Sequence, residues 1–142
     1  MVYTFSENSS VSPRWVIYSF PSVNIEEGDL YGSYFQSEVN LITDENHLKE
    51  IVFHLQELIN GKIKDYTFGY EVYAIVCDHE FCRCNVVLPW IERETDGSDA
   101  VIPINEVLLL MKDWSHYLLE WKRKQEEKWV ILREYLQMLQ SS

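Results

Sequence analysis

The feature that most constrains the fold is the C-terminal run of the chain, which is helical in pattern from Asn105 onward. Its first half repeats large apolar side chains every three or four residues, the spacing that places them on one face of an α-helix. These residues are Val107, Leu110, Met111, Trp114, Tyr117, Leu118 and Trp121. Because such a face must be covered by a second layer of structure, the rest of the chain has to supply that layer.

The second half of this run is apolar around most of its circumference. After the polar patch KRKQEEK, the segment WVILREYLQML continues in helical period. The sequence predicts either one long helix or two helices with a break near Gln125. A helix that is apolar on more than one face is buried on more than one side. We therefore expect residues 129–139 to dock on the sheet of the same chain, with a homodimer contact as the alternative.

The first third of the chain contains two runs with β-strand character. RWVIYSF, residues 14–20, is rich in β-branched and aromatic side chains and is followed by Pro21, which we expect to end the strand. After the acidic loop NIEEGDLYGS, the run YFQSEVNLI at 34–42 reads as a second strand. Its partial alternation predicts one shared face. The residues of that face are Phe35, Ser37, Val39 and Leu41.

A helix is predicted directly after this second run. Thr43 or Asp44 can accept hydrogen bonds from the free N–H groups of its first turn, and Asn60-Gly61 is a typical helix end. Between these limits apolar residues recur at helical spacing, so one face must pack on the rest of the protein. They are Leu48, Ile51, Val52, Leu55 and Leu58.

The centre of the chain predicts a β-hairpin. The extended runs FGYEVYAIVC and FCRCNVVLPW are separated by DHE, and AVIP supplies a last short strand before the C-terminal helix. The order of elements indicates an α+β fold, in which an antiparallel sheet of four or five strands packs its helices on one face. At 142 residues and 46% hydrophobic composition, the chain forms one domain spanning residues 1–142.

Several features indicate a cytoplasmic protein. No apolar run approaches the roughly 20 residues that a membrane-spanning helix needs. The N-terminus lacks the basic segment followed by an apolar segment that marks a secretory signal. The three cysteines are an odd number, which also favours a reducing compartment.

The net charge of −11 is unevenly distributed. Residues 1–105 contain 17 acidic and 6 basic side chains, whereas residues 106–142 contain 6 of each. Negative charge repels the phosphates of nucleic acids and anionic membranes, and it attracts basic partners. We therefore expect neither direct nucleic-acid binding nor membrane binding.

Three cysteines and a histidine fall within the stretch VCDHEFCRCN, residues 76–85. If His79 and Glu80 form a two-residue turn, Cys77 faces Cys82, and Cys84 lies on the same side of the ladder. The neighbours on that side are apolar, so the sequence predicts that all three thiols are core side chains, with His79 pointing to solvent.

Other roles for these cysteines are less well supported by the pattern. The spacing does not match the paired cysteines of a structural zinc site, so no metal is expected. A Cys77–Cys82 disulfide is stereochemically possible but disfavoured in a reducing compartment. A nucleophilic cysteine needs a histidine close by and a third orienting group. The chain has no phosphate-binding glycine loop and no nucleophile elbow, so neither an enzyme nor a cofactor is predicted.

The middle of the chain resembles a known class of proteins. The run from His47 to Cys77 joins a helix ending in LINGK to a strand that opens with an F-x-x-E pattern, Phe68 to Glu71. CRCNVVLPWIE and IPINEVLLLMKDWSHYLLEW follow. This order resembles the immunity proteins of contact-dependent growth inhibition and other polymorphic bacterial toxin systems over roughly residues 35–125.

The resemblance implies a protein that binds and neutralises a cognate toxin, many of which are nucleases with basic substrate grooves. Acidic loops and the hairpin turn would then provide charge complementarity, and Trp90 would serve as an aromatic anchor. The expected toxin-binding residues are Glu26, Glu27, Asp29, Asp78, Glu80, Trp90, Glu92, Glu94, Asp96 and Asp99. Two alternatives remain: a small acidic adaptor or homodimeric scaffold, and an enzyme that uses Cys82 or Cys84 with a distant histidine.

Overall fold

The structure is a computed structural model that describes residues 1–15, 17–26, 30–69, 73–87 and 101–141, with the side chains of 30–32 left aside. The described residues form six strands and three helices, and the first strand, at residues 3–11, was not predicted. These elements are β1 (Tyr3–Val11), β2 (Ile17–Ile25), α1 (Leu30–Leu41), α2 (Glu45–Ile59), β3 (Asp65–Phe68), β4 (Ala74–Asp78), β5 (Arg83–Val87), β6 (Val101–Pro103) and α3 (Ile104–Ser141).

The strands form two antiparallel sheets, which confirms the predicted α+β class. One sheet is the hairpin β1–β2, and the other has the order β3-β4-β5-β6. The helices cover one face of the four-stranded sheet, where Phe68, Ile75, Cys77, Cys84 and Val86 are buried. Within the described residues, no helix combines the length and the apolar character that crossing a bilayer requires.

The first hairpin extends beyond the proline that was expected to end its second strand. Pro21 lies inside β2 and pairs with Glu7. The backbone N–H of Glu26 donates to the carbonyl of Val2, so residues of even number form the hydrogen-bonded pairs of this ladder. Pro21 therefore occupies a position whose N–H would point away from β1, where its missing donor removes no ladder hydrogen bond.

The run at 34–42 is helical, so the predicted second strand is wrong. Phe35, Glu38, Val39 and Ile42 are buried at helical spacing, while Leu41 is exposed. The exposed Ser37 hydroxyl donates to the carbonyl of Ser33, one helical turn earlier. Apolar residues at 35, 39 and 42 fit the 3.6-residue period of a helix as well as the partial alternation of a strand. This short run therefore does not distinguish a helix from a strand.

Two side-chain amides of helix α1 form hydrogen bonds with backbone groups on the edge of β2 that faces away from β1. Asn40 Oδ1 accepts from the backbone N–H of Val23 at 2.8 Å, and Asn40 Nδ2 donates to the carbonyl of Val23 at 3.0 Å. Gln36 Oε1 accepts from the N–H of Ile25 at 2.7 Å. These are the odd-numbered residues whose backbone groups point away from β1. The amides thus replace a third strand along this edge.

Helix α2 begins and ends at the residues that the sequence predicts. Asp44 is the N-cap, and its side chain accepts from the backbone N–H of His47. The helix ends at Ile59, and Gly61 follows with a φ of 74°, a left-handed conformation that favours glycine. Local capping chemistry fixes both ends.

The four-stranded sheet contains a strand that was not predicted, β3, which pairs with β4. The connection between them brings the backbone of Gly69 against the carbonyl oxygen of Tyr73. A Cβ at Gly69 would lie 2.3 Å from that oxygen, so only glycine fits this position. On α1, the buried carboxylate of Glu38 accepts from the N–H of Tyr73 at 2.9 Å and ties the helix to the same connection.

The C-terminal run is one helix of 38 residues, which decides between the two predicted alternatives. Its first half lies in the core, and Trp114 is fully buried there with its indole N–H donating to the carbonyl of Ile42 at 2.8 Å. About two helical turns further along α3, Lys122 Nζ donates to the carbonyl of Thr43 at 3.2 Å. The start of α2 therefore lies beside the middle of α3, and the core ends close to Lys122.

Candidate functional site

The hairpin turn that carries two of the expected toxin-binding residues is longer than predicted. Asp78 pairs with Arg83 and Cys77 with Cys84, so four residues, His79 to Cys82, form the turn. Cys82 has a φ of 51°, and its backbone N–H donates to the carbonyl of His79. The register expected for a two-residue turn, with Cys77 opposite Cys82, is therefore wrong by two residues.

The cysteines divide into a buried pair and an exposed thiol. Cys77 and Cys84 form a disulfide and are fully buried, whereas Cys82 is exposed and its thiol donates to the carbonyl of His79 at 3.3 Å. The prediction of three free core thiols is wrong for the oxidation state of Cys77 and Cys84 and for the position of Cys82. A disulfide-bonded Cys84 has no thiol that could act as a nucleophile. The described residues contain no group of three or more His, Cys, Asp or Glu that could hold a metal ion.

His79 attaches the turn to the end of α2 and does not point freely to solvent as expected. Its Nδ1 lies 2.7 Å from the carbonyl oxygen of Leu58. A Cβ at Gly61 would lie 3.3 Å from the imidazole, so the glycine leaves room for the ring. The turn is thus held at a defined place on the surface.

Of the two acidic residues in this hairpin, only one is committed to local contacts. Asp78 Oδ1 accepts from the N–H of Phe81 at 2.8 Å, and Asp78 Oδ2 lies 3.8 Å from Arg83 Nε. The Arg83 guanidinium also lies over the Phe81 ring, 4.5 Å from its centroid. Glu80 is exposed at the tip of the turn. Asp78 therefore shapes the turn, and Glu80 presents its charge to solvent.

Glu26 and Glu80 lie at the same end of the molecule. The N–H of Ile104 at the start of α3 donates to the carbonyl of Cys82, which places the hairpin turn there. The N-terminal amine of Met1 donates to Glu106 Oε1 at 2.9 Å, and Glu26 continues the ladder beside Val2. We call this region the acidic end. The other expected toxin-binding residues lie outside the described residues: Glu27, Asp29, Trp90, Glu92, Glu94, Asp96 and Asp99.

The hairpin β1–β2 presents aromatic side chains that sequence analysis did not single out. Trp15, in the turn, is 87% exposed and has a φ of 62°, while Tyr18 and Phe20 are 50% and 39% exposed. Tyr18 and Phe20 are two residues apart, so they stand on the same face, opposite the core-facing Val23 and Ile25. Ser12-Pro13, turn-forming residues before Trp15, are the signal that could have located this tip. We call Trp15, Tyr18 and Phe20 the aromatic tip.

Strand β1 runs along α3 in the same direction. Tyr3 donates through its hydroxyl to Asp113 Oδ2 at 2.5 Å, and the Phe5 ring lies 5.7 Å from Trp114 and 5.0 Å from Tyr117 between centroids. Residues further along β1 thus contact residues further along α3, and both elements run away from the acidic end. The aromatic tip and the C-terminal part of α3 therefore point away from the acidic end.

Among the described residues, Tyr3 and Tyr117 at this contact and Tyr66 on β3 have raised pKa values. Burial, with the hydrogen bond to Asp113 and its negative charge, raises the pKa of Tyr3 to about 12. Burial and the charge of Glu50 raise the pKa of Tyr66 to about 12. Burial also raises the pKa of Tyr117, with a further contribution from Glu7. These hydroxyls stay protonated well above neutral pH.

The last sixteen described residues of α3, 126–141, leave the body of the protein, and we call them the projecting segment. Every one of them is exposed. The expectation that residues 129–139 dock on the sheet of the same chain is therefore wrong. Helical period predicted the segment correctly as a helix, but none of its described side chains is buried against the sheet.

A shallow groove between α2 and α3 offers a further surface. It has a volume of about 480 Å³ and an apolar floor formed by Val52 and Phe53. Lys49 and Lys112 stand at its rim, and Lys49 Nζ is 3.0 Å from Glu45 Oε1.

Comparison of the chain with family models, with curated proteins and with solved structures finds no match to any of them.

Proposed function

We propose that this protein binds and neutralises a bacterial toxin domain, as the immunity proteins that its sequence resembles do. The observation that carries the proposal is the aromatic tip, where three large aromatic side chains stand in solvent on an extended hairpin. Trp and Tyr are the residues that most often dominate protein–protein binding, because they bury a large area with few rotatable bonds. Core packing in this chain does not require them at these positions.

Charge supports the same proposal. The net charge of −11 favours a partner with a basic surface, such as the substrate groove of a nuclease, and disfavours nucleic acid itself. Glu26 and Glu80 add exposed negative charge at the acidic end. In this proposal opposite charge accelerates association and the aromatic tip slows dissociation. We place its action in the cytoplasm, where it occludes its target and catalyses no reaction. The Cys77–Cys84 disulfide, which a reducing compartment disfavours, is the observation against this location.

The experiment is growth protection by co-expression. The reading frame next to this one is expected to encode a large toxin, and its C-terminal domain, produced alone, should arrest growth. Co-expression of the full chain should restore growth. Replacing both Trp15 and Tyr18 with alanine should remove that protection, because the anchors are lost while the exposed positions contribute little to stability.

Phe53→Ala is the matched control, since Phe53 is also an exposed aromatic residue but lies in the groove between α2 and α3. It should leave protection intact. Charge reversal by Glu26→Lys with Glu80→Lys, or across residues 92–99, should slow association in a salt-dependent manner. A neighbouring gene product that is harmless, or a toxin that the chain does not neutralise, would refute the proposal.

A further inference from the structure

The projecting segment carries a continuous apolar face along half of its circumference. At 100° per residue, seven side chains fall within an arc of about 180°. They are Trp129, Ile131, Leu132, Tyr135, Leu136, Met138 and Leu139. Charged and amide side chains, including Arg133, Glu134 and Gln137, occupy most of the opposite side, which also carries the exposed Val130. This segregation is the pattern of a helix that is covered along one side.

The area of this face matches what a stable interface between two proteins requires. Its seven side chains are between 44% and 69% exposed. Together they present roughly 800 Å² of accessible surface, which is about the area that each partner contributes to an interface of standard size. Exposed apolar patches of this extent on a single chain mark interaction sites.

Packing would also stabilise the projecting segment as a helix. Isolated helices of about 15 residues are marginal in water, and most helical stability in proteins comes from packing of an apolar face. Arg123 forms ion pairs with Glu120 and Glu127 near its start, but solvent screens exposed pairs of this kind and they add little to the stability of a helix. A covered apolar face would supply the missing stabilisation.

The distribution of charge favours a second copy in one orientation. The projecting segment has three glutamates, one lysine and one arginine, a net charge of −1, so −10 of the total of −11 lies on the rest of the chain. Parallel pairing would bring two bodies of charge −10 side by side, whereas antiparallel pairing holds them at opposite ends of the contact. Two nearly neutral segments can approach each other without this repulsion.

We infer that the protein forms a two-fold symmetric dimer in which the projecting segments of two copies pack antiparallel to each other. Trp129, Leu132, Leu136 and Leu139 follow the alternating spacing of three and four residues that forms a seam between two helices. Overlaying residues 129–139 on their own copy places the two-fold axis close to Glu134. Lys128 of one copy then lies level with Gln140 of the other.

The first test is the mass of the full chain by sedimentation equilibrium over a range of concentrations. We expect twice the 16.9 kDa of one chain. Leu136→Glu introduces a charge in the seam and should weaken dimerisation at least about 100-fold. Gln137→Glu introduces the same charge one residue away on the polar side and should leave the dimer intact. Circular dichroism of Leu136→Glu verifies that the body remains folded.

The second test is the orientation of the two helices, read from disulfide cross-linking in a Cys82→Ser background that removes the exposed native thiol. Chains carrying Lys128→Cys and chains carrying Gln140→Cys are mixed and oxidised. Antiparallel pairing predicts the mixed 128–140 product, whereas parallel pairing predicts the 128–128 product and would overturn the inference.

A monomer at all concentrations would also overturn it. If Leu136→Glu then abolished growth protection, the toxin would be the partner of this face. If vesicles of anionic lipid bound the monomer through this face, a membrane would be the partner.

Discussion

Asn40 offers the sharpest test of how the fold closes the edge of β2. Its amide accepts from the N–H of Val23 and donates to the carbonyl of the same residue, and Val23 is only 1% exposed. Asn40→Ala removes both hydrogen bonds and leaves two buried backbone groups without their partner. We expect the free energy of unfolding to fall.

The magnitude follows from the cost of unsatisfied groups. A buried donor or acceptor that loses its partner costs about 1–3 kcal/mol. Two such groups, partly relieved by water entering the space that the amide leaves, give an expected loss of about 2–4 kcal/mol. A domain of this size is stable by about 5–15 kcal/mol, so the effect is large. Asn40→Leu, which fills the space and excludes water, should lie at the upper end of the range.

The assay is urea denaturation followed by far-UV circular dichroism, with Asn24→Ala as the control. Asn24 is an asparagine of the same strand, next to Val23, but it is exposed. Its replacement should change the free energy of unfolding by less than about 0.5 kcal/mol. Equal destabilisation by Asn40→Ala and Asn24→Ala would refute the reasoning, because the loss would then not come from the paired amide.

Asn40→Asp adds a test of the donor alone. One carboxylate oxygen can still accept from the N–H of Val23, but the other faces the Val23 carbonyl oxygen. Protonation restores a donor to that carbonyl, so folding favours the protonated form and raises the pKa of the introduced carboxyl above its unfolded value of about 3.9. The loss of unfolding free energy relative to the parent chain should be smallest at pH values below the unfolded pKa. It should grow as the pH rises through the folded pKa.

Three further outcomes are expected. Folding raises the pKa of Tyr3 and of Tyr66 from about 10 to about 12, so each protonated hydroxyl stabilises the folded chain. This stability is present below about pH 10 and is lost as the pH rises toward about 12, so the urea midpoint should fall over that range. The fall should be smaller in Tyr3→Phe. Alkylation followed by mass measurement should modify one cysteine in the native chain and in the unfolded, unreduced chain, and all three after reduction; modification of three without reductant would contradict the disulfide. Trp114→Phe should cost about 1–2 kcal/mol through the lost indole donor, and Trp114→Ala about 4–5 kcal/mol, both read from urea denaturation.

Local signals predicted those parts of the fold in which a few residues determine the conformation. The ends of α2 follow from Asp44 and from Asn60-Gly61, and helical period identified both halves of α3 but left open a break near Gln125. Helix α1 was missed because the apolar residues of a nine-residue run satisfy two periods, and the amide contacts that select the helix involve a distant strand. The turn at 79–82 was mispredicted because hairpins of two and four residues leave similar patterns in sequence.

The candidate site was harder to predict than the fold. Charge composition indicated a basic partner, but it did not show that Asp78 is engaged in its own turn whereas Glu80 is not. Trp15 was missed because exposure depends on where the hairpin projects, which is a tertiary property. The projecting segment was assigned to the core for the same reason: an apolar helical face requires a cover, and the pattern does not say which molecule provides it.

The continuity of α3 has a geometric consequence. One unbroken helix of 38 residues, about 57 Å long, spans from the acidic end to Ser141, so it acts as a rigid spacer between the two. Its twist also sets the direction in which the seven apolar side chains face relative to the hairpin. Inserting a single alanine between Gln125 and Glu126 would turn that direction by about 100° while moving it outward by only about 1.5 Å. A change in the length of α3 therefore alters the direction of its apolar face much more than the distance of that face from the body.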